Sequence, residues 1–222
     1  MKVLIAIVSC HQFARRRMAQ RDSWLPQATA AAVAYRFFVG RCSALPTIVG
    51  SQSVVAAPRP DMELLECEDN YEGLSRKVRT AVRWAYQRDY DYLFKCDDDT
   101  YVRPERLLTS GFAQHEYSGF IEDYDLRLAT NFPVYPHAQG GPGYWLSRKA
   151  MAAVVDTMPD KNHQEDFAVG EALALSGIPA VHDDRYVHQE GQALRSDFIS
   201  LHKCDPEEMR SLHAQLEQVS AH

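Results

Sequence analysis

An apolar run that ends in three consecutive aspartates limits the folds open to this chain. Residues 92–96 are largely apolar and predict a buried strand, which is followed directly by Asp97, Asp98 and Asp99. Three adjacent carboxylates repel one another, so a fold that holds them in a cleft needs a compensating cation. Ligands of open α/β sheets bind at the carboxyl ends of strands. The triplet therefore predicts a divalent-metal site in a nucleotide-dependent transferase.

A simpler interpretation of the triplet is a solvated turn. Asp and Thr favour turns and helix caps, and Thr100 follows the three aspartates. The setting favours the ligand site, because a buried strand precedes the triplet and Pro104 indicates a helix start after it. Both interpretations stay open on these residues alone.

Composition favours one domain and argues against general affinity for nucleic acid. The chain has 222 residues, 45% of them hydrophobic, which is enough for a sizeable core. A net charge of -6 leaves no surplus of Lys and Arg to neutralise phosphates. The five cysteines are scattered without Cys-x-x-Cys spacing, so neither a zinc site nor a complete disulfide framework is indicated, although one or two disulfides remain compatible with them.

The first apolar segment predicts a β-strand rather than a signal peptide. Residues 3–8 form a very short apolar run preceded by a single Lys, and no run in the chain approaches the ~20 apolar residues of a membrane span. We therefore expect no transmembrane segment and a soluble, cytoplasmic protein. A location in the Golgi lumen is expected only if the sequence is a trimmed catalytic domain.

Strands alternate with helices along the first half of the chain. Strands are predicted at residues 3–8 and 35–40, with a weaker one at 61–67 before the strand that carries the aspartates. Helices are predicted at residues 13–24, ending at Pro26, and at 72–87. In the second half, Ser147 is a predicted cap of a helix through residue 158, and another helix begins at residue 165. The alternation indicates an α/β fold with a mostly parallel sheet.

Three weaker patterns each have both a functional and a purely structural explanation. Arg17 and Arg21 share a helix face and could present two guanidinium groups to one anion, although on spacing alone an ordinary charged helix face is the preferred explanation. The glycines of residues 140–143 would let a ligand approach the backbone closely, but any tight turn would also use glycines. Glu165 and Asp166 begin a helix, where the helix dipole alone would explain them.

Taken in order, these segments resemble the beta-1,3-glycosyltransferase family, which includes galactosyltransferases, N-acetylglucosaminyltransferases and, more distantly, the Fringe enzymes. The resemblance covers about residues 3–205. The matching segments are Arg17 and Arg21 with Ser23 and Trp24, residues 37–40 (FFVG), residues 70–77 (NYEGLSRK) with Trp84, residues 94–99 (FKCDDD), residues 135–136 with 141–147 (GPGYWLS), and residues 165–170 (EDFAVG).

The resemblance implies the GT-A glycosyltransferase fold in a single domain, and transfer from a UDP-sugar with inversion, forming a beta-1,3 linkage. The triplet matches the family's Asp-x-Asp-type site for metal and nucleotide, with Mn²⁺ or Mg²⁺ as cofactor. The implied metal ligands are Asp97, Asp99 and His202, and Asp166 matches the general base. The implied nucleotide-binding residues are Arg17, Arg21, Lys77, Lys95, Asp97, Asp98, Gly141 and Gly143.

The resemblance also implies how the chain is organised and what it binds. Residues 1–205 form the catalytic domain, with a nucleotide-binding half to about residue 103 and an acceptor-binding half from 104, and residues 206–222 form a helical tail. The expected acceptor is a glycan, glycolipid or glycoprotein, and residues 135–139 differ from the family's usual loop. Two alternatives are an inactive sugar-nucleotide or glycan-binding module on the same fold, and a metal-dependent phosphohydrolase or nuclease.

Overall fold

Four parallel strands form one side of the main sheet in a computed structural model of this protein. The structure describes residues 1–41, 59–121, 135–159, 164–188 and 195–220. The four strands are β1 (Val3–Ser9), β2 (Ala34–Gly40), β3 (Met62–Leu65) and β4 (Tyr92–Asp97). β1 pairs in parallel with both β2 and β4, and β2 with β3. The predicted strands are therefore present, each within two or three residues of its expected bounds.

Short strands from the second half of the chain extend this sheet and form a second one. The main sheet gains β6 (Tyr117–Gly119), β7 (Tyr144–Ser147) and β8 (Val181–His182), giving the order β3-β2-β1-β4-β7-β6-β8. β7 alone runs antiparallel to its neighbours, so the sheet is mostly parallel, as predicted. The second sheet consists of β5 (Tyr101–Val102), β10 (Ser200–Leu201) and β9 (Tyr186–Val187).

Seven α-helices lie in the described ranges: α1 (Ala14–Asp22), α2 (Leu25–Ala30), α3 (Leu74–Tyr86), α4 (Pro104–Leu108), α5 (Arg148–Thr157), α6 (Glu165–Leu175) and α7 (Pro206–Ser220). The predicted helix over residues 13–24 ends earlier, at Asp22. Pro26 lies in the first turn of α2, where its missing N–H leaves no hydrogen bond unmade. Ser147 caps α5 as predicted, its hydroxyl accepting from Ala150 N at 3.2 Å.

The core divides into two clusters, one on each face of the sheet. Along β1, Leu4 and Val8 contribute to the cluster packed against α3, α5 and α6, while Ile5 and Ile7 contribute to the opposite cluster. This alternation follows from the two-residue period of a strand. On the opposite face, Trp145 stacks on Phe112 at 3.8 Å between ring centroids. The sheet is thus buried on both faces, as the continuous apolar runs require.

The strand order sets the place where a ligand can bind. The chain moves outward from β1 to β2 and β3, then returns to add β4 on the other side of β1. Crevices form at the carboxyl ends of strands at such a switch point. Asp97 is the last residue of β4 and pairs with Val8 of β1, so the aspartate triplet begins at this switch point.

The described cysteines are buried thiols, and the described helices are not of the kind that spans a membrane. Cys10, Cys67, Cys96 and Cys204 are free, and Cys42 lies outside the described residues. Within the described ranges, every helix is too short or too polar to span a membrane.

Candidate active site

The three aspartates point in different directions. The side chains of Asp97 and Asp99 are 31% and 17% exposed, whereas that of Asp98 is 4% exposed. Asp98 accepts a hydrogen bond from the Ser9 hydroxyl at 2.6 Å. Burial raises the pKa of Asp98 to about 6, although Ser9 and Arg16 oppose the shift. The triplet is therefore not a solvated turn, and its middle member is a buried carboxylate beneath the site.

Asp97, Asp99 and His202 form a cluster suited to a metal ion. One potential ligand atom from each lies within 4.8 Å of the others. His202 Nε2 is 3.2 Å from Asp99 Oδ1 and 3.9 Å from Asp97 Oδ2. His202 reaches this position because β10 pairs with β5. Leu201, the residue before His202, lies opposite Tyr101, which is two residues after Asp99. Burial alone would raise the pKa of Asp99, yet the contacts with His202 and Arg16 outweigh it and lower this pKa.

The donor set fits a divalent ion. His202 Nδ1 is buried without a hydrogen-bond partner among the described residues, while Nε2 faces the two carboxylates and the His188 ring packs against the imidazole at 5.0 Å between centroids. Carboxylate oxygens suit Mg²⁺ and Mn²⁺, whereas imidazole is a ligand of transition ions. Two carboxylates with one imidazole therefore fit Mn²⁺ better than Mg²⁺.

The glycine loop packs directly against this cluster. The Gly141 carbonyl accepts a hydrogen bond from the Thr100 hydroxyl at 2.8 Å. A Cβ atom at Gly141 would lie 2.2 Å from Cε1 of His202, so a larger residue would displace the ring. Gly143 has φ +106°, in the left-handed region, and its Cβ would lie 2.4 Å from the Phe94 ring. Both glycines therefore have packing roles that place the loop beside the candidate metal ligands.

Lys95 links the cluster to the start of α6 from inside the protein. Its ammonium lies 2.5 Å from Glu165 Oε1, 3.0 Å from Asp97 Oδ1 and 3.1 Å from the Gly140 carbonyl. These three acceptors match the three N–H donors of a lysine. Burial disfavours the ammonium, but the two carboxylates raise the pKa of Lys95 above its usual value. Lys95 is 1% exposed, so it positions Asp97 rather than reaching into the pocket.

Glu165 and Asp166 are adjacent but differ in environment. Glu165 is buried and also accepts from the Tyr144 hydroxyl at 2.9 Å. Burial raises the pKa of Glu165, and Lys95 offsets part of that shift. Asp166 is partly buried beside the glycine loop, with Gly140 N 3.5 Å from its Oδ2. Its Oδ1 accepts from Phe167 N at 3.0 Å, and no cation pairs with Asp166 among the described residues.

A pocket of about 270 Å³ opens at the carboxyl ends of β1 and β4. The three aspartates form one side of it, and Ser9, Arg16 and Lys77 contribute to its lining. Lys77 is buried, donating to Asp69 Oδ1 at 2.7 Å and to the Ser9 carbonyl at 2.8 Å. The pocket therefore combines the carboxylate triplet with two cations.

The structure does not bring Arg17 and Arg21 into the lining of this pocket. Burial lowers the pKa of Arg17, whose guanidinium donates to the Ser9 hydroxyl at 2.7 Å and to the Cys10 carbonyl. Arg21 forms two hydrogen bonds with Asp61, at 2.7 and 3.0 Å. The two arginines thus stabilise β1 and β3 instead of sharing one anion.

Arg16 is the pocket residue that sequence reasoning missed. Its Nη1 atom is 3.1 Å from both Asp98 Oδ1 and Asp99 Oδ2. It lies between Arg15 and Arg17 in a run of three arginines, and nothing in helical spacing separates it from its neighbours. Only the strand order, which places α1 beside the end of β4, distinguishes it.

Comparisons with known proteins support one family. Residues 15–118 match the family model described as galactosyltransferase. The probable beta-1,3-galactosyltransferase 13 of Arabidopsis thaliana is 31% identical over 46% of this chain and 32% of its own length. Beta-1,3-galactosyltransferase GALT1 of the same plant is 26% identical over 95% of this chain and 36% of its own. The chain thus spans about a third of the length of these relatives.

A solved structure supports the fold. A glycosyltransferase involved in the glycosylation of the major capsid of PBCV-1 superposes with a TM-score of 0.55 and 14% identity, over 96% of this chain and 99% of that one. At this identity the likeness concerns the fold alone, which is the GT-A glycosyltransferase fold. The sequence matches support similarity to the beta-1,3-galactosyltransferases, and the galactosyltransferase family model matches residues 15–118.

Proposed function

We propose that this protein is a metal-dependent inverting glycosyltransferase, which moves a hexose or N-acetylhexosamine from a UDP-sugar to an acceptor hydroxyl. The observation that carries the proposal is the Asp97, Asp99 and His202 cluster at a pocket on the switch point of the sheet. The names of the matched relatives make UDP-galactose the first donor to test and beta-1,3 the expected linkage. A glycan, glycolipid or glycoprotein is the proposed acceptor.

The proposed leaving-group site is the metal cluster. Asp97, Asp99 and His202 would hold Mn²⁺, with Lys95 fixing Asp97 through its Oδ1 contact. A divalent ion there supplies positive charge for the diphosphate that departs as the bond to the sugar breaks. Lys77 and Arg16 on the pocket wall add cationic charge on the same side.

Asp166 is the proposed general base. An inverting transfer needs one carboxylate that accepts the proton of the acceptor hydroxyl as that oxygen attacks the sugar carbon. Glu165 is unsuited because it is 3% exposed and its oxygens accept from the Lys95 ammonium and the Tyr144 hydroxyl. Within the described ranges, the oxygens of Asp166 accept only from backbone N–H groups, of Phe167 and Gly140. Asp166 is more accessible and has no cation partner in the described residues. The burial of Glu165 also anchors the first turn of α6, which positions Asp166 beside the glycine loop.

The direct test is product formation by the purified chain with Mn²⁺, a panel of UDP-sugars and simple glycoside acceptors. We expect UDP release coupled to a new glycosidic product whose linkage is assigned by NMR. Asp166→Asn should lower turnover by at least about 100-fold, the scale of general-base catalysis, while UDP affinity stays near wild type. Asp156→Asn is the matched control, since Asp156 is exposed on α5.

Three outcomes would contradict the proposal. Turnover of Asp166→Asn equal to that of Asp156→Asn would remove Asp166 from the role of base. Tight Mn²⁺-dependent binding of UDP-sugar with no transfer to any acceptor would instead favour an inactive binding module. Release of inorganic phosphate in place of intact UDP would indicate a phosphohydrolase.

A further inference from the structure

Arg16 contacts two carboxylates at once from the wall of the pocket. Its Nη1 atom lies 3.1 Å from Asp98 Oδ1 and 3.1 Å from Asp99 Oδ2. The guanidinium also stacks on the Phe13 ring at 4.2 Å, and its side chain is 34% exposed. It is therefore held in place without being buried, and part of its N–H donor set faces the pocket.

Asp99 has two different neighbours, one on each oxygen. Oδ1 faces His202 at 3.2 Å, while Oδ2 faces Arg16. An ion bound by Asp97, Asp99 and His202 would take up the charge of the Asp99 carboxylate, which weakens the attraction that holds Arg16 to it. Arg16 and the divalent ion therefore compete for the same carboxylate.

The second cation of the pocket is less able to meet a ligand. Lys77 is 2% exposed, and Asp69 and the Ser9 carbonyl accept two of its N–H groups. Arg16 is more exposed and has five donors in a planar fork that matches phosphate oxygens in pairs. An anion entering the pocket with the ion in place would meet Arg16 first.

We propose that Arg16 is a diphosphate-binding residue that pairs with Asp99 in the empty site and exchanges this pairing for the phosphates of a nucleoside diphosphate once the ion is bound. The inference rests on the proposed function, because it takes the cluster as the metal site. The inference predicts that Arg16 has opposite effects on the affinity for the ion and on the affinity for the nucleotide. Arg16 disfavours the ion when it binds alone, and favours the nucleotide when the ion is present.

Calorimetric titrations of the full chain with Mn²⁺ alone, and with UDP at saturating Mn²⁺, test this assignment. Arg16→Gln should bind Mn²⁺ alone about threefold more tightly, since a partly exposed ion pair is lost. The same variant should bind UDP about tenfold more weakly, the scale of one charge-assisted hydrogen bond. Arg15→Gln removes the same charge from the same helix at an exposed position and should change neither affinity.

The outcomes separate this inference from the proposed function. If wild type shows no Mn²⁺-dependent binding of UDP, the proposed function is wrong and the inference falls with it. If wild type binds UDP and Arg16→Gln matches Arg15→Gln in both titrations, the inference alone is wrong. A loss of both affinities in Arg16→Gln would indicate a structural role and would also overturn it. Arg16→Lys keeps the charge but not the planar fork of donors. It should therefore bind Mn²⁺ alone as the wild type does, and should regain only part of the UDP affinity that Arg16→Gln loses.

Discussion

Replacing Gly141 with alanine should disable the metal site without changing any ligand. The added Cβ would lie 2.2, 2.4 and 2.5 Å from Cε1, Nδ1 and Nε2 of His202, where ordinary contacts begin at 3.4 Å. The backbone of Gly141 has no positive φ, so the change adds no backbone strain and its effect is the collision itself. The ring must retreat by about 1 Å, several times the ~0.2 Å tolerance of a metal–ligand bond.

The expected result is a loss of Mn²⁺ affinity of about 10-fold to 100-fold, as for changes that disturb a ligand's support. Overpacking should lower the free energy of unfolding by about 1–3 kcal/mol. Calorimetry gives the affinity, and urea unfolding in EDTA gives the stability without contribution from the ion. Both are measured on the wild type and on Gly141→Ala.

A double-mutant cycle with His202→Ala decides whether the collision is the cause. Without the ring, alanine at residue 141 meets no imidazole, so Gly141→Ala should lower Mn²⁺ affinity in the wild-type background and have little effect in the His202→Ala background. Equal losses in the two backgrounds would show that residue 141 acts through the backbone of the loop. Unchanged affinity in the single variant would refute the placement of His202 against the loop.

Three further changes test other parts of the structure. Trp145→Ala should lower the free energy of unfolding by about 3–5 kcal/mol in urea titrations, because this side chain is fully buried. Arg21→Ala should lower the free energy of unfolding by about 1.5–3 kcal/mol, because the pair with Asp61 is lost, and should leave the Kd of UDP unchanged. A higher Kd of UDP would instead indicate that Arg21 belongs to the nucleotide site. Glu165→Gln should weaken Mn²⁺ binding in calorimetry, because the full charge of Lys95 then acts on Asp97.

The strands and helices of the first half were largely predictable because each depends on local sequence. Residues 3–8 are a continuous apolar run and residues 92–96 are largely apolar, and the helix over 72–87 shows a clear helical period that the structure confirms as α3. β7 was not predicted, since it has only four residues and follows a glycine loop. The paired strands β5, β9 and β10 are two residues each, too short for any pattern to show.

The site was predictable only where residue type alone carries the chemistry. Asp97 and Asp99, together with His202 through the family resemblance, were expected as metal ligands, and the structure brings the three together; their binding of an ion stays a prediction. The role of Lys95 depends on Glu165, whose position follows from the tertiary fold. Arg16 likewise depends on where α1 meets the end of β4, which the arginine run does not encode.

The candidate ligands belong to chain segments that are distant in sequence, and this has a consequence for folding. Asp97 and Asp99 come from the middle of the chain, whereas His202 arrives only after β10 has paired with β5. An ion held by all three would bind the native state and not the unfolded chain, and so would act as a reversible cross-link between early and late segments. Occupancy by the ion would then report completed assembly of the whole domain, well beyond the matched residues 15–118.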